Sequence, residues 1–227
     1  MFGHRAVGFA VLVFAVTAAA CGGSKGEAKG AADAQAQGQA DVPAMDQLKF
    51  ISADLQAHLN ALMAPINETD ALITQITSMP QRLNLNMKSL LGMAKATVDS
   101  GQIAISADFN ADAMVRAEVE GVLGRLKAIV DGLRAMPQNA QVLTAKAASA
   151  MVAVPALGTK VTAEATLKLN NPFGKPEVKA QAQADLQSLA QVQADVQNTI
   201  QQVQQQVMGL PAMATSALAK LTAAFAS

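Results

Sequence analysis

The chain has 227 residues, enough for one domain with a tail once any leader is removed. Lys+Arg and Asp+Glu are equal at 17 each, and the chain holds no Trp, no Tyr and 7 Phe. A neutral chain without aromatic platforms lacks both the phosphate attraction and the base stacking that nucleic-acid binding uses, so we expect no nucleic-acid partner. One Cys and two His cannot build a Cys/His zinc site, and we expect no bound metal and no cofactor.

The first 20 residues are typical of a secretory signal peptide. Met1–Arg5 supply a short start with one Arg, and Ala6–Ala20 form an uncharged run. That run is shorter than the about 20 apolar residues that a membrane-spanning helix needs. It fits the apolar part of a signal peptide, which ends in small residues. We therefore assign residues 1–20 to a signal peptide.

Three small residues, Ala18, Ala19 and Ala20, stand directly before Cys21. The arrangement resembles the signal peptide of bacterial lipoproteins. The resemblance implies that the Cys21 thiol receives a diacylglyceryl group, that the leader is cut before it, and that the new amino group is acylated. The family most often has Leu where this chain has Ala18. The same residues also fit an ordinary small-x-small cleavage site, so the alternative is a soluble secreted or periplasmic protein with a free Cys21.

The resemblance also implies a location. Gly22 rather than Asp follows the cysteine, as in lipoproteins sorted to the outer membrane. A lipoprotein of this class carries three acyl chains, and each buried methylene contributes about 0.8 kcal/mol, so the anchor would be stable. We expect a protein of the bacterial cell envelope, anchored by Cys21 in the outer membrane and facing the periplasm, with its body in water.

Residues 21–43 predict a flexible tether that begins at the lipidated cysteine. This segment is rich in Gly, Ala, Gln and charged residues, with one Val and no other branched or large apolar residue. It cannot bury enough apolar surface to offset the entropy lost on ordering. In the flexible-coil regime its mean reach is about 25 Å. A weak Ala-rich helix over Ala28–Ala40 is the alternative and would leave the tether role unchanged.

Residues 44–227 predict a mainly α domain, an elongated antiparallel bundle of long heptad-like helices. Three apolar stripes recur at helical spacing, and such narrow stripes must pack against other helices because one helix cannot bury them alone. The clearest stripe keeps a period of 3.5 residues and consists of Val115, Val119, Val122, Leu126, Ile129, Leu133 and Met136. A second begins at Leu48 and runs to Met79, and a third runs from Val178 to Leu210 with mostly Gln between its members.

Prolines mark the expected breaks in these helices. Pro80, Pro137 and Pro211 each follow an apolar residue and should begin a second, shorter helix, because proline is tolerated in the first helical turn. Pro65 should kink or split the first helix. Residues 170–176 read NNPFGKP, and this segment predicts a turn that leads into the third long helix.

The surroundings of two prolines suggest an internal repeat with an offset of 57 residues. Met79-Pro80-Gln81 matches Met136-Pro137-Gln138, and a glycine follows each at the same distance. After each glycine comes an alternating segment, Ile103–Phe109 and Lys160–Leu169, and a period of two is a strand signal. We expect these segments to pair into a small two-stranded β ribbon. The alternative is an extended connector for the first and a helix for the second.

Few residues suggest chemistry. Asp54 and His58 are four apart on a predicted helix, which indicates a surface pair, since no Cys or suitably placed Ser completes a triad. Asp108, Asn110 and Asp112 are spaced like the start of a calcium loop, but Ala113 and Val119 stand where that loop needs Gly and Glu. We therefore expect no catalytic residues and no metal site, and we expect that the protein is not an enzyme.

These features predict a structural or protein-interaction role, as a scaffold or tether, at a membrane surface. We expect a protein partner in the envelope, with the Gln-rich third helix packed within the bundle or against a partner helix. The alternative is a carrier or sensor of lipid or other small apolar ligands, which would bind when the bundle opens. Methionine suits surfaces that bind varied apolar partners, although core filling is the simpler interpretation of the set Met79, Met87, Met93, Met114, Met136, Met151, Met208 and Met213.

Overall fold

The computed structural model describes residues 42–107 and 109–226. The signal peptide expected at residues 1–20, the expected lipidation site Cys21 and most of the expected tether lie outside the described residues. All helices reported below belong to one compact unit that begins at Pro43. Within the described part of the chain, four α-helices and no strand are found, which confirms the prediction of a mainly α fold.

Three of the four described helices are long and one is short. In chain order they are α1 (Ala44–Leu83), α2 (Met87–Ser100), α3 (Ala113–Asn170) and α4 (Pro176–Ala224). At 1.5 Å per residue, the 58 residues of α3 extend over about 87 Å and the 49 residues of α4 over about 74 Å. The turn expected between Asn170 and Pro176 is present, and Pro176 occupies the first helical position of α4.

Side-chain caps mark the starts of α2 and α3, and a glycine marks the end of α2. Asn86 accepts a hydrogen bond from the backbone N–H of Ser89 at the start of α2, and Asp112 accepts one from Val115 at the start of α3. Both residues satisfy a backbone donor that the first helical turn leaves unpaired. Gly101 ends α2 in the left-handed conformation with φ of 68°, where a side chain would be strained.

Contacts between helices establish the direction of each. The backbone N–H of Ala44, in the first turn of α1, lies 3.3 Å from Glu164 Oε2 near the end of α3, and Arg82 at the end of α1 bonds Glu118 near the start of α3. Therefore α1 and α3 are antiparallel. Gln193 of α4 reaches the carbonyl of Val154 at 3.4 Å, as expected for a helical hairpin of α3 and α4.

The first and last helices run in the same direction. Ser52 Oγ of α1 lies 3.0 Å from Thr199 Oγ1 of α4, and further along Lys220 Nζ lies 3.1 Å from Asp70 Oδ2. The three long helices therefore alternate in direction along the chain and pack side by side. This is the bundle that the apolar stripes predicted.

The predicted stripes form the core. From the α3 stripe, Val119, Leu126 and Leu133 are almost completely buried, and Leu48, Leu55 and Leu59 of α1 and Ile200 and Val203 of α4 pack into the same cluster. Fully burying a side chain of this size contributes about 1.5–3 kcal/mol before entropy is subtracted.

The expected β ribbon is wrong. Lys160–Leu169 lies within α3, because its Val161 and Ala165 are one helical turn apart and both are buried. Ala163 and Leu167, which the strand interpretation placed on the same face as these residues, are exposed instead. Alanine gives no hydrophobic signal to an alternating pattern. The helical spacing of the buried residues therefore determines the secondary structure of this segment. The described residues of Ile103–Phe109 form a connector that contains a turn and no strand.

The prolines do not begin new helices, which corrects a second expectation. Pro80 lies inside α1, Pro137 inside α3 and Pro211 inside α4. The preceding residues Met79, Met136 and Leu210 are all buried. Burial of these large side chains offsets the single backbone hydrogen bond that each proline removes. Nor is α1 split at Pro65, since the helix continues to Leu83.

The 57-residue repeat is also not reproduced. Gly101 ends a helix, whereas Gly158, its counterpart, lies inside α3. Pro80 precedes the end of α1 by three residues, whereas α3 continues for more than thirty residues beyond Pro137. The matching residues therefore occupy different structural positions.

Candidate functional site

One polar cluster joins two long helices. His58 Nδ1 lies 2.7 Å from the backbone carbonyl oxygen of Asp54 and 3.2 Å from Asp54 Oδ1, so the predicted pair forms. Lys146 of α3 completes the cluster, with its Nζ 2.6 Å from Asp54 Oδ2 and 3.3 Å from His58 Nε2. The Asp54 side chain is 16% exposed, and the other two are more accessible.

The geometry of this cluster makes it a clamp between α1 and α3. One carboxylate oxygen of Asp54 faces His58 on the same helix, and the other accepts from Lys146 of α3, so the second contact holds the two helices in register. The sequence predicted Asp54 and His58 together but missed Lys146, because it is 88 residues distant from His58 and no local spacing links the two. Across residues 42–107 and 109–226, no group of three or more His, Cys, Asp or Glu could hold a metal ion.

Two open depressions lie on the described surface. The first, of about 370 Å³, lies between α2 and the connector that follows it, and its lining includes Lys88, Met93 and Ile105. The second, of about 620 Å³, is lined by α3 residues from Thr159 to Leu167. Neither opens between the long helices, so neither reaches the interior that the carrier hypothesis would use.

The methionines divide between core and surface. Met79, Met93 and Met136 are buried and fill the bundle interior, as the core interpretation predicts. Met87, Met114, Met208 and Met213 are exposed. Met87 lies on α2, Met114 on α3, and Met208 and Met213 on α4, so no single helix presents the whole set.

At the end of the bundle that contains the α3–α4 turn, α3 and α4 extend beyond the start of α1. Ala44, the first residue of α1, lies beside Glu164, and Ser52 lies beside Thr199. At one helical rise per residue, the start of α1 is therefore level with about residue 191 of α4. Residues 164–190 project past α1 as a two-helix hairpin, which we call the hairpin extension.

Burial along α4 reports this change from three helices to two. From Val196 onward the stripe residues are buried, as at Ile200, Val203 and Leu210. In and next to the hairpin extension, Leu186, Leu189 and Val192 are half-buried, because one neighbouring helix is missing. Within the hairpin extension, the small residues Ala165 of α3 and Ala182 of α4 are buried. The apolar stripe of α4 was expected to pack either within the bundle or against a partner helix. It packs within the bundle along most of its length.

Two helices are apolar enough to be considered as membrane-spanning segments. By length and composition, α3 and α4 each contain a segment that could cross a bilayer. Core helices pass the same test, and the buried faces of α3 and α4 pack on each other and on α1. This is weak support for association with a membrane.

Comparisons of the chain with models of known protein families, with curated proteins and with solved structures find no match. The functional argument therefore depends on the residues and the fold.

Proposed function

We propose that this protein is a lipid-anchored protein of the bacterial cell envelope with a structural or protein-interaction role. The proposal places an acyl anchor on Cys21, a tether at residues 21–43 and a helical bundle in the aqueous space beside the outer membrane. The leader and its terminal cysteine support the anchor, and the bundle supports the role as a scaffold.

One structural observation carries the proposal furthest. The backbone N–H of Ala44 contacts Glu164, six residues before the end of α3, so the segment that precedes α1 joins the bundle at its hairpin end. An anchor at residue 21 would therefore hold the bundle by one end of its long helices. That attachment leaves the sides of α3 and α4 accessible to another protein.

The anchor is tested by replacing its cysteine. The Cys21→Ala chain should lose the mass of the acyl groups and leave the membrane fraction, whereas a Ser24→Ala control should keep both. Intact-mass spectrometry and fractionation of the envelope measure these outcomes. Wild-type protein that is free of acyl chains, or that is recovered wholly in aqueous extracts, would contradict the proposal.

The interaction role is tested by cross-linking in intact envelopes. A photoreactive group at Val152, which is exposed on the side of α3, should form a specific adduct with one envelope protein. The same group at Val154, which is buried two residues further along the helix, is the matched control and should give adducts within the chain only. Absence of any reproducible adduct from Val152 and from other exposed positions such as Val142 would remove the support for a partner.

A further inference from the structure

The tip of the hairpin extension combines exposed apolar side chains with lysines. Phe173 in the turn is 94% exposed, Leu167 in the last turns of α3 is 74% exposed, and Val178 at the start of α4 is exposed as well. Large apolar side chains exposed together mark a contact surface more often than scattered single ones do.

Charge at the tip has one predominant sign. Between residues 167 and 179 the chain has Lys168, Lys175 and Lys179 against Glu177, so three positive charges and one negative charge give a net charge of +2. The Lys179 side chain lies over the turn, since a Cβ built on Gly174 would be 3.2 Å from its Cε. Lysines beside exposed apolar residues are typical of segments that lie at an anionic membrane surface.

Two hydrogen bonds order the backbone of the turn that carries Phe173. The backbone N–H of Phe173 donates to Asn171 Oδ1 at 3.0 Å, and the N–H of Gly174 donates to the Asn171 carbonyl oxygen at 3.1 Å. Both bonds order the turn without a ligand. Less conformational entropy would therefore be lost when Phe173 enters an apolar phase.

The position of the tip identifies what it would contact. The chain that precedes Ala44 joins the bundle at this end, where α3 continues six residues beyond Glu164 and α4 begins fifteen residues before residue 191, so the tip projects about 9–22 Å past that junction. The flexible tether expected at residues 21–43 would have a mean reach of about 25 Å. Those lengths allow the tip to touch the surface in which Cys21 would be anchored.

We propose that the tip of the hairpin extension is a second membrane contact, in which Phe173 and Leu167 enter the apolar boundary of the bilayer and the lysines bind anionic phospholipid headgroups. The orientation rests on the proposed anchor at Cys21. With both contacts made, α3 and α4 stand on the membrane by their connected ends. A second copy of the chain or a protein partner at the tip are the other occupants that the test must separate.

The absence of Trp and Tyr makes a sharp test available, because Phe173→Trp places the chain's single indole at the tip. Met114→Trp is the matched control, since Met114 is 84% exposed in the first turn of α3 at the opposite end of the bundle. Each full-length variant is exported, purified and reconstituted in vesicles of phosphatidylethanolamine and phosphatidylglycerol with brominated acyl chains. Intact-mass spectrometry first establishes whether Cys21 is acylated.

Emission of the Phe173→Trp protein should shift to the blue and be quenched by the brominated lipid, while emission of the Met114→Trp protein should do neither. A charged residue near an anionic surface changes the binding equilibrium about fivefold. Lys175→Gln in the Phe173→Trp chain should therefore lower the ratio of inserted to free tip about fivefold, and Lys95→Gln on α2 should leave it unchanged. Vesicles without phosphatidylglycerol should give the same loss as the lysine change.

The results separate this proposal from the anchor. Acylated protein with equal quenching at both positions overturns the membrane contact and leaves the anchor intact. A blue shift without quenching by brominated lipid assigns the tip to a protein or to a second copy and also overturns it. If the exported protein carries no acyl chain, the anchor is wrong. The soluble Phe173→Trp chain mixed with the same vesicles then decides the tip, since quenching supports the contact and its absence overturns it.

Discussion

Single residues decide how closely the long helices approach. Gly132 of α3 faces Pro65 of α1, and a Cβ built on Gly132 would lie 2.8 Å from the proline Cγ. The proline ring is rigid and is held in a continuous helix, so it cannot swing aside as a flexible side chain would. Gly121, on the same helix, has no such neighbour within 4 Å. The two glycines therefore respond oppositely to an added methyl group.

We expect Gly132→Ala to destabilise the bundle although alanine is the better helix former. The helix preference for Ala over Gly contributes about 1 kcal/mol, and forcing a methyl group into a packed contact costs about 1–3 kcal/mol. The net effect should be a loss, whereas Gly121→Ala should gain about 0.5–1 kcal/mol. Urea unfolding followed by circular dichroism measures both. Equal stabilisation by the two changes would show that α1 is not pressed against Gly132.

An exposed ion pair supplies a pH-dependent contribution. The Arg82 guanidinium donates a hydrogen bond to Glu118, and this bond, more than the charge attraction, lowers the pKa of the Glu118 carboxyl and raises the pKa of Arg82. A carboxyl whose pKa is lower in the folded than in the unfolded state stabilises the fold above its unfolded pKa. That stabilisation is lost as the pH falls through the folded pKa.

We therefore expect Glu118→Gln to lower stability slightly at neutral pH and to have no effect once the wild-type carboxyl is protonated in acid. Since both side chains are exposed, the difference should also shrink as salt is added. Parallel urea titrations of the two proteins across pH and salt measure it. A difference that stays constant down to strongly acidic pH would mean that the pair contributes nothing through its charge.

At the scale of elements, the sequence predicted the helices better than their interruptions. The stripe from Val115 to Met136 keeps a helical period over seven members, so its burial could be predicted without knowledge of its partners. A single proline, or an alternating pattern made mostly of alanine, predicts local structure less reliably than such a stripe does. Met136 is buried just before Pro137, and that tertiary contact keeps α3 continuous, which no local pattern reveals.

The docking of α2 was also invisible in the sequence. Arg134 of α3 donates to the carbonyl oxygens of Val98 at 2.7 Å and Asp99 at 3.2 Å, which the end of α2 leaves without helical partners. Thr97 donates to the carbonyl of Met93 and accepts from the N–H of Ala104, which folds the connector back on the helix. These contacts connect residues more than thirty positions apart, or depend on a turn at Gly101.

We expect Arg134→Met to loosen α2 without unfolding the long helices. The loss of two charge-assisted hydrogen bonds at a partly exposed site should cost about 1–2 kcal/mol locally. Hydrogen exchange should accelerate over residues 87–106 and stay unchanged in the centres of α1 and α4. Arg125→Met is the matched control, because Arg125 pairs with exposed side chains of α1 and not with backbone at the end of α2. Uniform acceleration throughout the chain would show that α2 is not a separate unit of stability.

At the scale of the molecule, the candidate sites differ in how far the sequence could locate them. Cys21 was assigned from a local resemblance and lies outside the described residues. The apolar tip at Phe173 was visible in the sequence as a turn, but its exposure depends on where α1 begins relative to α3. That offset follows from packing between residues more than a hundred positions apart, such as Ala44 and Glu164. Local spacing therefore found the turn and could not identify it as the end of the bundle.

The same offset determines which residues of the α4 stripe are available to a partner. Ile200 is fully buried where three helices meet, so Ile200→Asp should place an unpaired charge in the core and cost about 4 kcal/mol or more. Gln202→Asp, on the exposed face two residues away, should change stability by less than about 0.5 kcal/mol. Thermal unfolding followed at 222 nm distinguishes them. If Ile200→Asp kept wild-type stability, the third long helix would not be part of a shared core, and its stripe would be open to another protein.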